Sequence, residues 1–407
     1  MNNQAGVSLP AGWEVQPLGD LCRIRRELVE PSPNGSRRYV GLEHLDSGKA
    51  RIARWDSERG LQSTKHCFYA GDVLYGKLRP YLDKAAIAEW DGVCSTDILT
   101  LEVKPSRADA AFVSFLLHTG DFLAHAVATT SGVNHPRTSW TDLAAFSHPT
   151  PPLQEQRAIA AILRSIQAAV DVQNQITAKL RELKTATIAK LFREGLRGEP
   201  FKQTEIGEIP ESWEVAPLEQ VARIERGKFT HRPRNDPRFF DGPFPFVQTG
   251  DVAQANGRIR TFSQTLNEAG LAVSRMFPAG TILLTIAANI ADTGILEFDS
   301  AFPDSIVGLT PDATVDVHFL EFYLRTQKQA MDRLAPKGTQ KNINIQFLRP
   351  WPVPRPPMPD QREIALSLTR LDQRAEASMD RGRILSLLFS ATLHLLMSGQ
   401  LRLSARE

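Results

Sequence analysis

Cysteine is scarce in this 407-residue sequence, and long apolar runs are missing. Only Cys22, Cys67 and Cys94 occur, and their wide spacing gives neither a CxxC pair nor a disulfide framework. No apolar run reaches the length of a membrane span, and the first ten residues lack the basic and apolar regions of a secretion signal. We therefore expect a cytoplasmic protein with buried, reduced thiols.

Charge of one sign is also lacking. The chain has 48 Lys and Arg residues against 46 Asp and Glu residues, so its net charge is only +2. This balance excludes a generally basic nucleic-acid binder, and any contact with nucleic acid must come from local patches. A hydrophobic share of 42% is ordinary for a folded protein, and the length predicts two to three domains.

Catalytic motifs are absent as well. Residues 71–77 approach a phosphate-binding loop, but Leu78 stands where Ser or Thr must hold magnesium. Asp91, Glu102 and Lys104 resemble a nuclease triplet only faintly, and the second half of the chain lacks that pattern. No zinc-ligand spacing occurs either. The sequence predicts no catalytic residue, no metal and no cofactor in this chain.

An internal repeat covers nearly the whole sequence. Trp13-Glu14-Val15 and Pro17-Leu18 recur 200 residues later as Trp213-Glu214-Val215 and Pro217-Leu218. The match continues downstream, where Gln156-Arg157 recurs as Gln361-Arg362 at a shift of 205 residues. A duplicated unit fixes the organisation of a fold before any local prediction is made.

Each repeat has a globular half and a helical half. Short apolar runs at residues 72–75, 85–90 and 97–103, with a helical stretch near 109–128, predict a mixed α/β globule. Prolines at 149–152 and 350–357 end the two globules and prepare helix starts. The long segments that follow carry apolar stripes at helical spacing. The predicted helix-pairing residues are Ile159, Leu163, Ile166, Leu180, Leu183, Ile364, Leu368, Leu371, Leu385 and Leu388.

The two stripes predict a pair of long helices that bury their apolar faces against each other. We expect an antiparallel pair, because two copies of one module are most simply related by a pseudo-twofold axis. Residues 192–195 resemble residues 396–399, so the end of the chain should lie near the start of the first globule. Gly382 is expected to interrupt the second helix.

These features together resemble the specificity subunits of Type I restriction-modification systems. The motifs are the two WEV-P-L openings, TEIGEIPESWEV (204–215), GKLRPYLDKA (76–85) and two P-x-x-x-Q-R helix entries at Pro152 and Pro357. The resemblance implies two target-recognition domains (1–152 and 199–354), each followed by a long spacer helix (153–198 and 355–407). It implies double-stranded DNA, two methyltransferase subunits and a motor-nuclease subunit as partners. S-adenosylmethionine would belong to the methyltransferase partners.

Basic and polar residues cluster where loops are expected, and their types suit phosphates and base edges. The two loops that contain Gly132 and Gly338 occupy equivalent positions in the repeats but share little sequence, so we expect the domains to read different half-sites. The predicted DNA-binding residues are Lys77, Arg79, Tyr81, Lys84, Asn134, His135, Arg137, Ser139, Lys228, His231, Arg232, Arg234, Lys337, Gln340, Lys341 and Asn342.

Two other functions fit the residues without the resemblance. A duplicated protein-interaction scaffold would have the same repeat and the same paired helices. An enzyme with an unrecognised active site is the second alternative. A scaffold would show no specific affinity for duplex DNA, and an enzyme would show turnover from the purified chain alone.

Overall fold

A computed structural model describes residues 9–287, 289–335 and 342–403 of the protein. The chain divides into two units. The first unit comprises residues 1–175 and 379–407, and the second comprises residues 176–378. Each unit therefore contains one globule together with a segment of each long helix.

In the first unit, the chain forms a mixed α/β globule, as the sequence predicts. The strands are Glu14–Pro17, Cys22–Ile24, Leu28–Val29, Arg38–Val40, Asp56–Ser57, Lys65–Phe68, Val73–Gly76, Ala85–Ile87, Gly92–Cys94, Ile98–Val103 and Ser147–Thr150. The short helices are Leu18–Leu21, Ala110–Leu116, Gly120–Ala128 and Trp140–Ala144, with 3₁₀ turns at Leu42–His44 and Pro80–Leu82. The helical stretch predicted near 109–128 is thus two helices.

The second unit repeats this plan with more strands. They are Phe201–Thr204, Gly207–Pro210, Glu214–Pro217, Ala222–Arg226, Phe240–Phe246, Gly257–Ile259, Gln264–Leu266, Met276–Phe277, Ile282–Thr285, Thr293–Leu296, Ser300–Ala301, Ile306–Pro311 and Pro352–Arg355. The short helices are Leu218–Val221, Thr249–Gln254, Glu268–Ala272, Val317–Thr326, Lys328–Leu334 and Ile345–Leu348, with a 3₁₀ turn at Pro237–Phe239.

Strand pairing confirms that the central sheets of the two globules share one topology. The central sheet of the first unit has the order Cys22–Ile24, Ile98–Val103, Val73–Gly76 and Ala85–Ile87, and all neighbours are antiparallel. The equivalent four strands of the second unit have the same order, and Gly257–Ile259 extends that sheet by a parallel pairing. Even the registers agree, since Arg23 pairs with Glu102 and Arg223 pairs with Thr310.

A second sheet in each globule differs between the copies. In the first unit it has five strands in the order Leu28–Val29, Lys65–Phe68, Gly92–Cys94, Arg38–Val40 and Asp56–Ser57. In the second unit it has four strands in the order Gln264–Leu266, Phe240–Phe246, Ser300–Ala301 and Met276–Phe277. In the first unit this sheet packs on the central sheet through one apolar cluster that includes Phe68, Leu74 and Ile98, whereas in the second unit Phe246, Leu266 and Ala301 belong to a cluster without central-sheet residues.

Two long helices follow the globular segments: the central helix, Leu153–Glu194, and the C-terminal helix, Met358–Met397. A buried glutamine fixes each helix start. Gln156 accepts a hydrogen bond from Asp109 N (2.9 Å) and donates to Arg107 O (3.1 Å) and Pro151 O (2.9 Å). Gln361 makes the same three bonds in the second unit, to Asp316 N (2.8 Å), Thr314 O (3.1 Å) and Pro356 O (2.9 Å). The P-x-x-x-Q-R motif is therefore a joint between globule and helix.

Within each unit, the segments of the two helices run antiparallel. In the second unit Thr177 hydrogen-bonds Ser378 (2.9 Å), and Lys184 forms an ion pair with Asp372. The contacting residue numbers rise along the central helix and fall along the C-terminal helix, so the two segments are antiparallel, as predicted. In the first unit Ile159 and Leu163 share a core with Leu393 and Leu396.

The predicted helix-pairing residues fall into three classes, and equivalent residues share a class. Ile159, Leu163, Ile364 and Leu368 are fully buried. Ile166, Leu180, Leu371 and Leu385 are half-buried. Leu183 and Leu388 are 51% and 50% exposed. Leu183 is exposed because Lys184, the next residue, lies on the side of the central helix that faces Asp372. A side chain one position away on a helix points about 100° aside.

Gly382 does not interrupt the C-terminal helix, so that prediction was wrong. The helix is continuous through this position, and Gly382 is buried. A Cβ atom here would lie 3.5 Å from Asn174 Oδ1, which is ordinary van der Waals contact. Tertiary packing offsets the modest intrinsic cost of a glycine in a helix.

The ends of both long helices are closed in the same way. Gly195 and Gly399 each follow a helix with a positive φ (65° and 73°), the left-handed conformation that glycine adopts freely. Gly195 lies against Pro210 and Trp213, and Gly399 lies against Pro10 and Trp13. The end of the chain is therefore in contact with the start of the first globule, as predicted.

Each globule is also tied to a long helix by polar side chains. In the first unit Gln167 accepts a hydrogen bond from Ala50 N (3.2 Å), and Asp171 pairs with Lys49. Asp372 and Glu376 occupy the equivalent positions 205 residues later in the second unit. They pair with Arg325 (3.4 Å) and Arg260 (3.4 Å). These polar contacts orient the globules on their helices.

Among the described residues, no single helix has both the length and the apolar character needed to cross a membrane. Helices Ala110–Leu116 and Gly120–Ala128, which meet at a bend of 65°, meet the criterion only when taken together. Their apolar side chains Phe112, Phe115 and Phe122 are fully buried in the core of the first unit.

Candidate nucleic-acid interface

Two of the predicted loops in the first unit lie side by side. Backbone hydrogen bonds join Lys77 N to Asp97 O (3.0 Å), Arg79 N to Pro136 O (2.8 Å) and Thr138 N to Lys77 O (3.1 Å). The loop after strand Val73–Gly76 and the loop after Gly132 therefore form one surface, although about 50 residues separate them in the sequence.

Arg137 and Asp97 form the strongest polar contact on this surface. Arg137 Nε donates to Asp97 Oδ1 (2.9 Å), and Nη2 donates to Oδ2 (3.3 Å). This hydrogen bond, with the nearby charges of Arg137, Lys77 and His135, holds the pKa of the Asp97 carboxyl below its usual value. Asp97 is consequently ionised and keeps the guanidinium of Arg137 in place.

The tips of the two loops carry exposed side chains. Tyr81 is 54% exposed and Val133 is 97% exposed, and Arg79, Asn134 and His135 are also exposed. Arg79 has a φ of 53°, an unusual backbone conformation for a residue with a side chain. The bond from Arg79 N to Pro136 O holds it there, so neighbouring structure, and not local preference, sets the direction of this side chain.

Two of the predicted residues in the first unit have structural partners. Lys84 Nζ donates to Leu42 O (2.5 Å) and is half-buried. Ser139 caps helix Trp140–Ala144 by accepting from Asp142 N (3.2 Å), and its hydroxyl donates to the Asp142 carboxylate (2.6 Å). These two side chains stabilise the loops.

In the second unit, two predicted arginines share one carboxylate. Arg232 Nη2 lies 3.1 Å from Asp304 Oδ2, and Arg234 Nη2 lies 2.6 Å from Asp304 Oδ1. Both arginine side chains are 50% exposed. His231 bonds Asp236 (3.1 Å) and packs on Phe239, and Lys228 is exposed.

The second predicted loop of this unit lies largely outside the described residues. Lys337, Gln340 and Lys341 are not among them. Asn342 is exposed and forms an isolated bridge with Ala287. The bridge between Leu78 and Arg137 is its counterpart in the first unit, so Asn342 and Arg137 occupy equivalent positions in the two units.

The sequence analysis did not identify the carboxylates Asp97 and Asp304, or the packing of an arginine on two tryptophan rings in the first unit. The Arg38 guanidinium lies 4.4 Å from the ring centre of Trp55 and 4.8 Å from that of Trp90. Such contacts join residues that are distant in sequence, and no local pattern indicates them. The available signal was the position of Asp97 at the start of the predicted strand run 97–103.

The faint catalytic pattern has structural partners. Asp91 Oδ1 accepts from Ala70 N (2.8 Å), Glu102 pairs with Arg23 (2.6 Å), and Lys104 donates to Gly19 O (2.8 Å). Within the described ranges, no group of three or more His, Cys, Asp or Glu side chains is arranged to hold a metal ion.

Known proteins resemble this chain over most of its length. The sequence profile of the Type I restriction modification DNA specificity domain matches residues 10–182 and 210–382. The Type I restriction enzyme MjaVIII specificity subunit of Methanocaldococcus jannaschii is 23% identical, over 98% of this chain and 95% of the relative. The Type I restriction enzyme EcoDI specificity subunit of Escherichia coli is 31% identical, over 47% of this chain and 44% of the relative.

A solved structure has the same fold. The S subunit of a Type I restriction-modification system from M. genitalium superposes with a TM-score of 0.64 at 15% identity, over 97% of this chain and 98% of that one. The profile match covers both repeats, and so most of the sequence. The chain therefore belongs to the family of Type I restriction-modification DNA specificity subunits, non-catalytic proteins that recognise a DNA target.

Proposed function

We propose that the chain reads a bipartite DNA target, with the globule of each unit reading one half. One observation carries this proposal: on a shared frame, the two units expose arginines from different loops beside the same core strand. In the first unit the loops present Arg79 and Arg137, and in the second unit Arg232 and Arg234. Arginine offers paired donors for guanine and a charge for phosphate.

The proposed division of labour follows the repeat. Residues 1–152 and 199–354 are the target-recognition domains, and residues 153–198 and 355–407 contain the spacer helices. Of the predicted DNA-binding residues, Lys77, Arg79, Tyr81, Asn134, His135 and Arg137 contact DNA in the first half-site. Lys228, His231, Arg232, Arg234 and Asn342 contact the second half-site.

The partners are two methyltransferase subunits that dock on the long helices. Apolar side chains remain exposed there, and a partner that covered them would gain hydrophobic free energy. Examples are Val172 (55% exposed), Leu183 (51%), Ile384 (62%) and Leu387 (65%). S-adenosylmethionine is bound by those partners. Where the system also cleaves DNA, a motor-nuclease subunit joins the same complex.

The complex works in the cytoplasm, where the target DNA lies. The three cysteines are buried free thiols, which suits a reducing compartment. Burial raises the pKa of the Cys22 and Cys94 thiols to about 12, so these side chains remain protonated and unreactive.

A binding assay at several salt concentrations tests DNA recognition. The full-length chain, co-purified with its methyltransferase partner, should select one split motif from a randomised duplex library. Its affinity should fall steeply as salt rises, because binding releases counterions from the phosphates. A protein-interaction scaffold would select no sequence, and that result would refute the proposal.

Methylome sequencing provides the test in cells. Deletion of the gene should remove methylation from one split motif, and a plasmid copy should restore it. If the methylated motifs are the same with and without the gene, the assignment to methyltransferase partners is wrong.

A further inference from the structure

Both units place an aspartate in the turn just before the same core strand. Asp97 precedes strand Ile98–Val103, and Asp304 precedes strand Ile306–Pro311. The two aspartate side chains have similar exposure, 27% and 29%. The arginines that they hold come from different segments: Arg137 follows Gly132, whereas Arg232 and Arg234 follow strand Ala222–Arg226.

The first contact is a fork. Asp97 receives two hydrogen bonds from Arg137, one from Nε (2.9 Å) and one from Nη2 (3.3 Å). An arginine has five N–H groups in one plane, so three remain free. Asp97 fixes the edge of the guanidinium that carries Nε and Nη2. Because the guanidinium is planar and rigid, its remaining N–H groups then point in a fixed direction. The Arg137 side chain is 43% exposed, which leaves that edge accessible.

The second contact joins two arginines. Each oxygen of Asp304 accepts from one guanidinium, and Arg226 Nε donates to the backbone oxygen of Asp304 (2.6 Å). Without the carboxylate, the like charges of Arg232 and Arg234 would repel each other. Asp304 therefore keeps two basic side chains close together on one exposed surface.

Stability does not explain these contacts well. Ion pairs between exposed side chains contribute little to folding, because water and salt screen them. A carboxylate beside a DNA-binding arginine also weakens attraction to phosphate. This cost falls on affinity for DNA of any sequence, so the benefit has to lie in the choice of sequence.

We propose that Asp97 and Asp304 are positioning residues for base recognition, which fix Arg137 and the Arg232–Arg234 pair in the directions needed to read guanine in the two half-sites. Guanine presents two acceptors, O6 and N7, to a correctly oriented arginine. A fixed guanidinium loses little conformational entropy on binding. The inference rests on the proposed function, because it assigns a role within the two recognition surfaces.

The test uses the full-length chain in complex with its methyltransferase partner and a randomised duplex library. The variants are Asp97→Asn, Arg137→Lys and the double variant. Glu102→Gln is the matched control, since it removes another partly exposed carboxylate on the strand that follows Asp97, where Glu102 pairs with Arg23 and Arg25. Affinity for non-specific duplex is measured beside the selected motif.

For Asp97→Asn we expect guanine preference at one position of one half-site to fall by about tenfold, within the range for one bidentate contact. Non-specific affinity should stay equal or rise, because a negative charge near the phosphates is removed. Arg137→Lys should lose the same preference, and the double variant should lose no more, because the two residues act as a unit. Glu102→Gln should leave the motif unchanged.

Two results would overturn the inference. If Asp97→Asn keeps the full motif while Arg137→Lys changes it, Asp97 is an ordinary surface ion-pair partner. If specific and non-specific affinity fall together, Asp97 only maintains the fold. A wild-type complex that selects no motif would instead refute the proposed function, so the two failures can be told apart.

The Asp304→Asn variant repeats the test in the other half-site. It should weaken base preference there and leave the half-site affected by Asp97→Asn intact. If either variant alters both halves of the motif, the effect is not local to one recognition surface, and the positioning role is wrong.

Discussion

The two units agree in the central sheet and at the joints with the long helices, and they differ in the second sheet and the exposed loops. Gln156 and Gln361 make the same three hydrogen bonds, and Asp109 and Asp316 cap equivalent helices with the same two bonds. The second sheets of the two globules have different strand orders, and their aromatic contacts differ: in the first unit Arg38 packs on Trp55 and Trp90, and in the second unit Phe229 stacks on Phe240. Buried contacts tolerate few changes, whereas exposed loops can change with the DNA sequence they read.

The comparison predicts that equivalent buried residues have equal effects. Trp13 and Trp213 are 5% and 0% exposed, and each packs on the glycine that ends a long helix. Replacing either by alanine should cost about 3–5 kcal/mol, the usual range for a buried tryptophan. Hydrogen exchange measures the loss in each unit separately. Loss of protection in both units from one variant would contradict two separately stabilised frames.

The joint glutamines should give the next largest effect. Gln156→Leu and Gln361→Leu each leave one N–H group and two carbonyl groups without a protein partner, and we expect a loss of about 2–4 kcal/mol in each case. Gln154→Leu is the control, because Gln154 is exposed two positions earlier on the same helix. Urea denaturation compares the three. A loss no greater than that of the control would mean that the joint does not hold helix to globule.

One buried position should make the stability of the first unit, but not of the second, depend on pH. Burial lowers the pKa of His148 to about 4, whereas Val353 occupies the equivalent strand position in the second unit. The unfolded chain takes up the proton near pH 6.5, so the first unit should lose stability as pH falls from about 6.5 to 4, by roughly 3 kcal/mol.

The His148→Val variant, which copies the second unit, should remove most of that pH dependence. Urea denaturation at pH 7 and pH 4.5 measures it for both proteins. Carboxylates titrate in both, so the difference between the two proteins is the relevant quantity. An equal loss in wild type and variant would show that His148 is not the group responsible.

The smallest effect on stability is expected on the exposed sides of the helices. Leu183→Ala and Leu388→Ala should each cost less than about 1 kcal/mol, since both side chains are half exposed. Each variant should nevertheless reduce co-purification of the methyltransferase partner if these side chains lie in the docking surface. Leu163→Ala changes a fully buried position, so it should lower stability more than the other two variants and reduce co-purification of the partner less.

The central sheets and long helices could largely be predicted from the sequence, because each of these elements occurs twice and can be predicted from either copy. The sequence predicted strand Ile98–Val103 and the two long helices, although the C-terminal helix ends at Met397 rather than near residue 407. The two faults have physical causes. Gly382 is accommodated by tertiary packing, and the seam between the helices follows Thr177 and Lys184 rather than Leu183.

The recognition surface was less predictable. Basic residues near glycine turns were identified, but Lys84 and Ser139 serve the protein's own structure. The pairing of Arg137 with Asp97 joins residues 40 positions apart, and only the sheet brings them together. Charge pattern indicates which residues are available, whereas the fold decides which of them are held in place.

A domain exchange tests the central claim most directly. Residues 208–354 are replaced by the equivalent segment of another specificity subunit with a known motif, and the methylated motif of cells carrying the chimera is sequenced. We predict that one half of the motif changes to that of the donor and the other half stays as in the wild type. A chimera that methylates DNA but changes both halves, or neither, would contradict independent reading by two copies of one frame.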